Sequence, residues 1–219
     1  MDVSKYTRLA RKALKLRTCG AVIVAAGNAS RMEGIDKVMA PLRGEPMIVR
    51  TVRAFQQCDA ISEIVIVTRQ DLLVAVSDLC HGFEKVRAVI AGGENRQESV
   101  EAGLGALSDK VKLAAIHDGA RPLVSWQVID RTVRAANSYG AAAPAVPVKD
   151  TVKAVAGGIV KETPDRSTLK AVQTPQVFDI DLLRAGLRKA TDDQAEITDD
   201  CSAVERLGMS VKIVEGDEK

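Results

Sequence analysis

Ala21-Val22-Ile23-Val24-Ala25-Ala26-Gly27-Asn28-Ala29-Ser30-Arg31-Met32, with Lys37 a few residues further on, is an apolar run of strand length that empties into a small-residue loop carrying cations. A short apolar run bounded by turn residues reads as a buried strand. Small side chains in the loop leave backbone N–H groups open, and Arg31 and Lys37 add positive charge, a combination suited to phosphate. A dinucleotide fingerprint is excluded, because GxGxxG needs more than Gly27 and an acid at the end of the second strand, which here ends Val67-Thr68-Arg69. A P-loop is excluded too, since GxxxxGK followed by Ser or Thr is absent. From this stretch alone a phosphate cradle and a pair of surface cations are both open.

Similar apolar runs recur at Ile64 to Thr68, Val86 to Ala91, Leu113 to His117 and Ala141 to Val148, with helix-length segments between most of them. Strands alternating with helices predict an α/β fold with a mostly parallel sheet in three layers. The first crossover helix is expected from about Pro46 to Cys58, with Ile48, Val52 and Phe55 inward, and another from about Arg96 to Leu107. After Pro147 the rhythm breaks: Val148 to Val160 alternates valine with polar residues and turns at Gly157-Gly158, which predicts a protruding two-stranded β-arm over about 148–170. Such an arm has too few apolar residues for a core of its own, so a partner subunit is its expected support. Helices are expected again from Ile180 to Ala190 and from Asp199 to Leu207, with a late strand at Val211 to Val214.

The chain of 219 residues is long enough for one sizeable core, and a net charge of +2 excludes a strongly basic nucleic-acid binder. The four cysteines, Cys19, Cys58, Cys80 and Cys201, form no CxxC pair, which disfavours structural zinc and predicts free thiols in the cytoplasm. No apolar run approaches the length of a membrane span or a secretion signal. Residues 1–18 carry six cations against Asp2, an amphipathic extension that packs on a domain spanning 19–219; membrane-surface contact or targeting is the other reading.

Further strand ends carry the remaining chemistry. Gly92-Gly93-Glu94-Asn95-Arg96 opens a helix, its glycines admit a ligand close to the backbone, and Ser99 in the first turns can hydrogen-bond a base edge. Ile116-His117-Asp118-Gly119-Ala120-Arg121 sets a carboxylate beside a small-residue turn and a cation, an arrangement that holds a phosphate compound with its magnesium. His117 is expected to serve as a structural or hydrogen-bonding group. In and around the arm, with the Gln173-Thr174-Pro175-Gln176 segment after it, Thr151 and Arg166 either reach a second, phosphorylated substrate or stand as solvated arm residues. Trp126 and the pair Cys80-His81 read as packing or surface.

These segments together resemble the 2-C-methyl-D-erythritol 4-phosphate cytidylyltransferase family. The resemblance runs from about Cys19 to Gly216. It rests on the AAG…RM loop ending in Lys37, GGxxRxxSV, HDxARP, PVxDTxK, Asp165-Arg166, TPQxF at Thr174 to Phe178 and TDDxSAxE at Thr198 to Glu205. It implies a Rossmann-like nucleotidyltransferase domain that moves the cytidylyl group of CTP onto methylerythritol phosphate. By similarity Arg31 and Lys37 stabilise the reacting phosphates. Ala25, Ala26, Gly27, Gly93, Glu94, Ser99, Asp118 and Gly119 bind the nucleotide, and Arg121, Thr151, Arg166 and Thr174 bind the acceptor. Magnesium is held by the triphosphate with Asp118 near it, and the arm crosses to a second subunit in a homodimer. Ala29 stands where the family commonly has a second loop glycine, and the family continues past Val214 to Lys219 into a lysine-bearing segment and a closing helix, which leaves the acceptor site open to question. Lys219 does not match the family's lysine. Two rival readings are a cytidylyltransferase for another polyol phosphate such as ribitol 5-phosphate, and a nucleotide-binding protein with impaired catalysis.

Overall fold

A computed structural model describes residues 16–27 and 36–219; Arg31 and residues 1–15 lie outside the described part. The chain runs β1 (Cys19–Ala25), a small hairpin of β2 (Pro41–Leu42) and β3 (Glu45–Pro46), α1 (Met47–Gln56), β4 (Ile61–Thr68), α2 (Leu73–Cys80), β5 (Val86–Ala91), α3 (Arg96–Ala106), β6 (Leu113–Asp118), α4 (Trp126–Tyr139) and β7 (Ala141–Pro147). Strands β8 (Ala154–Ala156) and β9 (Ile159–Glu162) follow, then β10 (Lys170–Val172), β11 (Gln176–Asp179), α5 (Ile180–Asp192), α6 (Asp200–Glu205) and β12 (Lys212–Glu215).

Strand β1 lies in the middle, parallel to β4 on one edge and to β6 on the other, and β4 pairs in parallel with β5. Beyond β6 the sheet is mixed, because β11 runs antiparallel to both β6 and β7 and β10 runs antiparallel to β7. Ala142 and Ala145 of β7 each have partners on both sides, which puts β11 and β10 along one edge of β7 and β12, in parallel, along the other. The mostly parallel sheet and its layers agree with the expected α/β class.

The unbroken apolar run of β1 follows from burial on both faces. Ala21, Ile23 and Ala25 face a cluster with Ile48, Val52 and Phe55 of α1, Val76 of α2 and Ile129 and Val133 of α4. Val22 faces the opposite cluster with Val100 and Leu104 of α3, Leu183 and Leu187 of α5 and Val204 of α6. Burying each such leucine, isoleucine or phenylalanine contributes about 1.5–3 kcal/mol, which fixes three layers around the strand. Helices α5 and α6 are capped locally: the Asp179 carboxylate accepts the N–H groups of Asp181 and Leu182, and Asp199 with Ser202 forms a capping box on α6.

Helices α2 and α4 and strands β10 and β11 are additions to the elements expected above. Strands β8 and β9 pair antiparallel around Gly157 and Gly158, both at positive φ, and every residue of the two strands is exposed. Residues 148–153, expected as strand, have none, since nothing in the described chain pairs with them. At the chain entry, Arg17 donates to the Asp179 carboxylate at 2.6 Å and to backbone oxygens of Ala136 and Asn137, so the end of the expected extension is tied to α4 and β11. No helix among the described residues is long and apolar enough to cross a membrane.

Candidate active site

The C-terminal ends of β1, β5 and β6 open onto one cleft of about 780 Å³, whose walls include Gly27, Lys37, Gly93, Arg96 and Asp118. Ligands of open α/β sheets bind at this end of the strands. On the β5 side the Gly92 N–H donates to Thr68 O at 2.8 Å, and a Cβ at Gly92 would stand 2.5 Å from the Ala26 Cβ and 2.6 Å from the Ser99 hydroxyl. Only glycine lets this turn press against the end of β1. The Asn95 side chain caps α3 by accepting the Glu98 N–H, while the Glu98 carboxylate accepts the N–H of Glu94 at 2.8 Å. Helix α3 therefore begins at the cleft and turns the positive end of its dipole toward it. Ser99 is buried and donates its hydroxyl hydrogen to Asn95 O at 2.9 Å, which leaves that oxygen able only to accept from a ligand.

Asp118, at the end of β6, accepts from Arg121 Nε at 2.8 Å and faces Arg96 at 3.6 Å. Burial disfavours its charge, but the Arg121 hydrogen bond and the two guanidinium charges prevail and hold the carboxyl below its usual range. Arg96 is itself gripped by both oxygens of Asp200, at 2.9 and 2.7 Å. Asp200 is fully buried at the start of α6, and its burial outweighs the guanidinium and raises its pKa. The Gln176 amide ties the neighbouring Asp199 to the sheet at 2.8 Å and accepts the Cys201 N–H at 3.0 Å. Arg96 and Asp200 thus belong to the site although no role was read for them in the sequence; the signal was their presence inside two of the quoted motifs.

His117 is buried against the Phe55 ring, with centroids 4.9 Å apart. Its Nε2 contacts Arg121 O at 3.2 Å and its Nδ1 contacts the Thr174 hydroxyl at 2.8 Å. A carbonyl oxygen only accepts, so Nε2 carries the proton. Burial pushes the pKa down to about 4, so Nδ1 is bare and the Thr174 hydroxyl donates to it. Between pH 4 and the ordinary value of 6.5 the unfolded chain binds a proton here that the folded chain does not, so stability rises with pH across that window. This contribution is present in full above the upper value and lost as pH falls through the lower one. His117→Gln is expected to flatten the pH dependence of urea unfolding in that window; a variant with the parent slope would contradict the neutral imidazole.

Thr174 and Arg121 line a second cavity of about 240 Å³, with Gln173, Leu123 and Val124, so Arg121 stands between the cleft and this cavity. The structure gathers Ala25, Ala26, Gly27, Lys37, Gly93, Glu94, Ser99, Asp118 and Arg121 in the cleft. Gly119 lies behind it: its N–H donates to Val24 O at 2.8 Å and its carbonyl accepts from Thr51 at 2.9 Å. Thr151 and Arg166 are exposed on the arm side, where Arg166 donates to Lys149 O at 2.7 Å, and neither lines the cleft or the smaller cavity. Arg31 falls outside the described residues.

The family model of 2-C-methyl-D-erythritol 4-phosphate cytidylyltransferase matches residues 19–219. The chain belongs to this family. Among similar cytidylyltransferases, that of Symbiobacterium thermophilum is 45% identical over 197 residues, covering 89% of this chain and 83% of its own length. That of Caldanaerobacter subterraneus is 42% identical over 204 residues, covering 91% and 90%. Among solved structures, 4-diphosphocytidyl-2C-methyl-D-erythritol synthase from Anaerococcus prevotii superposes with a TM-score of 0.85 at 29% identity, covering 94% of this chain and 89% of the other. The cytidylyltransferase from Thermus thermophilus gives 0.73 at 30% identity, covering 92% and 90%. As a member of this family the chain is a CTP-dependent nucleotidyltransferase that passes a cytidylyl group to methylerythritol phosphate in the non-mevalonate route to isoprenoids.

Proposed function

We propose that CTP lies in the large cleft, with its triphosphate between Lys37 and the start of α3 and with Arg31, by the family resemblance, as its second cation, and that methylerythritol phosphate enters the smaller cavity beside Arg121. The observation that carries this reading is the position of Arg121 at the junction of the two spaces, where two phosphates must meet. A phosphate oxygen of the acceptor attacks the α-phosphorus of CTP in line, the bond to the β-phosphate oxygen breaks, and pyrophosphate leaves. Charge accumulates on the non-bridging oxygens and on the leaving group, so positioning and pre-placed cations carry the catalysis. The nucleophile is already an anion, and His117, whose ring nitrogens both have partners in the fold, is not needed as a base.

Ala25, Ala26, Gly27, Gly93, Glu94 and Ser99 surround the cytosine in this reading. Ser99 offers only a lone pair, which suits the amino group of cytosine, a hydrogen donor. Gly119 supports that wall from behind. Thr174, whose hydrogen goes to His117, likewise offers a lone pair, suited to a polyol hydroxyl. Arg121 faces the acceptor, and Thr151 and Arg166, which line neither space of their own chain, reach it from the arm of a second subunit. For magnesium, the donor set fits an ion held chiefly by the triphosphate: Asp118 supplies one carboxylate, and no group of three or more His, Cys, Asp or Glu among the described residues suits a metal. Bound magnesium would supply positive charge that offsets the charge of the triphosphate.

Residues 19–219 form one nucleotidyltransferase domain in this reading, with residues 1–18 as an extension. Four buried free thiols suit the cytoplasm. The arm exposes Val155, Ile159 and Val160, each more than half accessible, on a hairpin that an isolated chain would hold only marginally, which supports a homodimer closed through the arm. Val160→Asp is expected to give monomers by light scattering together with a loss of transfer; a fully active monomer would contradict the shared arm. The acceptor is tested by pyrophosphate release from CTP with methylerythritol phosphate and with ribitol 5-phosphate. Release is expected with the first, and release with ribitol phosphate alone would overturn the assignment.

A further inference from the structure

One acid in the cleft wall has no part in the transfer. Asp36 lines the cleft directly before Lys37, where an arriving triphosphate would meet an opposing negative charge. Arg69, just past the end of β4, answers that charge. Its Nη1 stands 2.6 Å from Asp36 Oδ2, while Nε and Nη2 hold the two Asp71 oxygens at 3.0 and 2.9 Å. The contact with Asp36 is an ion pair without hydrogen-bond alignment, so its contribution is charge. Both side chains are about one-fifth exposed, at 23% and 18%, which limits screening by solvent.

The same acid shapes the turn that carries Lys37. Asp36 Oδ1 accepts the Val38 N–H at 3.0 Å, and Asp36 O accepts the Ala40 N–H at 2.9 Å. The other acid of this wall near a cation, Asp118, has its own partners in Arg121 and Arg96. Among the described residues, the cation paired with Asp36 is Arg69.

We propose that Arg69 is a positioning residue for the transfer: it cancels the Asp36 charge at the cleft wall and, through Asp36, holds the turn that presents Lys37 to the nucleotide. This rests on the reading of the cleft as the CTP site. The test is CTP binding by calorimetry with steady-state kinetics on Arg69→Gln, Arg69→Lys, the double variant Arg69→Gln with Asp36→Asn, and Lys37→Ala. Arg69→Gln is expected to weaken CTP binding and raise its KM by about tenfold, with a smaller fall in kcat. Arg69→Lys keeps the charge and stays within about threefold of the parent. The double variant also returns to within about threefold, because the amide that replaces the Asp36 carboxylate has no charge but still accepts the Val38 N–H. A purely structural role for Arg69 would not be rescued by removing the acid. Parent-like CTP binding in Arg69→Gln, or a double variant no better than Arg69→Gln, would overturn the inference. Parent-like turnover in Lys37→Ala would instead remove the cleft assignment beneath it.

Discussion

Lys37→Ala is expected to lower kcat by about a hundredfold to a thousandfold with a modest change in CTP affinity, the loss that follows removal of one pre-placed charge opposite a developing anion. Lys37 is exposed in the cleft wall, on a turn fixed by Asp36, and among the described residues no hydrogen bond or ion pair involves its ammonium. The variant should therefore melt like the parent while turning over slowly. Arg31→Ala is expected to behave in the same way, because both cations offset charge that grows only as the phosphates meet. Turnover is read as pyrophosphate release under saturating CTP and methylerythritol phosphate, and near-parent turnover in either variant would contradict their role.

Arg96→Met is expected to be the most destabilising change at the site, by about 3–5 kcal/mol in urea unfolding at neutral pH, because it strands the fully buried carboxylate of Asp200. Burial already raises the Asp200 pKa against the pull of Arg96, and loss of the guanidinium raises it further. A carboxyl whose folded pKa is raised above the ordinary 3.8 costs stability as pH rises from that value through the folded one. The deficit of the variant should thus be smallest in acid and full at neutral pH. Adding Asp200→Asn should recover much of it, since the amide has no charge to bury. A deficit independent of pH and untouched by the second substitution would show that Arg96 acts through packing alone. Transfer should fall as well, because Arg96 also flanks Asp118.

The fold was legible where burial dictates composition. Strand β1, packed on both faces, has to be apolar throughout, and its run Ala21 to Ala25 announces a central strand. The strand-end glycines were legible for a related reason, since a Cβ at Gly92 has no room. Strands β10 and β11 were not. Their segment holds Thr174, Pro175 and Gln176, which argue against a strand locally, and they form because the exposed edges of β6 and β7 accept them. Helix α4 is a different case: Val128, Ile129, Thr132, Val133 and Ala136 form a stripe at helical spacing that was open to reading.

Of the proposed site, the residues assigned to a ligand were easier to read than those that hold them. Gly93, Asp118 and Arg121 sit at or just past strand ends, and Lys37 follows the first loop motif, whereas Asp200 reaches Arg96 across 104 positions of sequence. Arg69 shows the same limit, because its partner Asp36 is 33 positions away and nothing local marks the pair. Hydrogen-bond direction was also invisible: that Ser99 and Thr174 can only accept from a ligand follows from Asn95 O and from His117, which the fold places against them.

With the nucleotide assigned to the cleft at the ends of β1, β5 and β6, a crystal structure with CTP tests that placement most directly. The expected result is a triphosphate against Lys37 and the start of α3, with cytosine near Ser99. Nucleotide bound in the smaller cavity of Thr174 and Gln173, with the cleft empty, would contradict it.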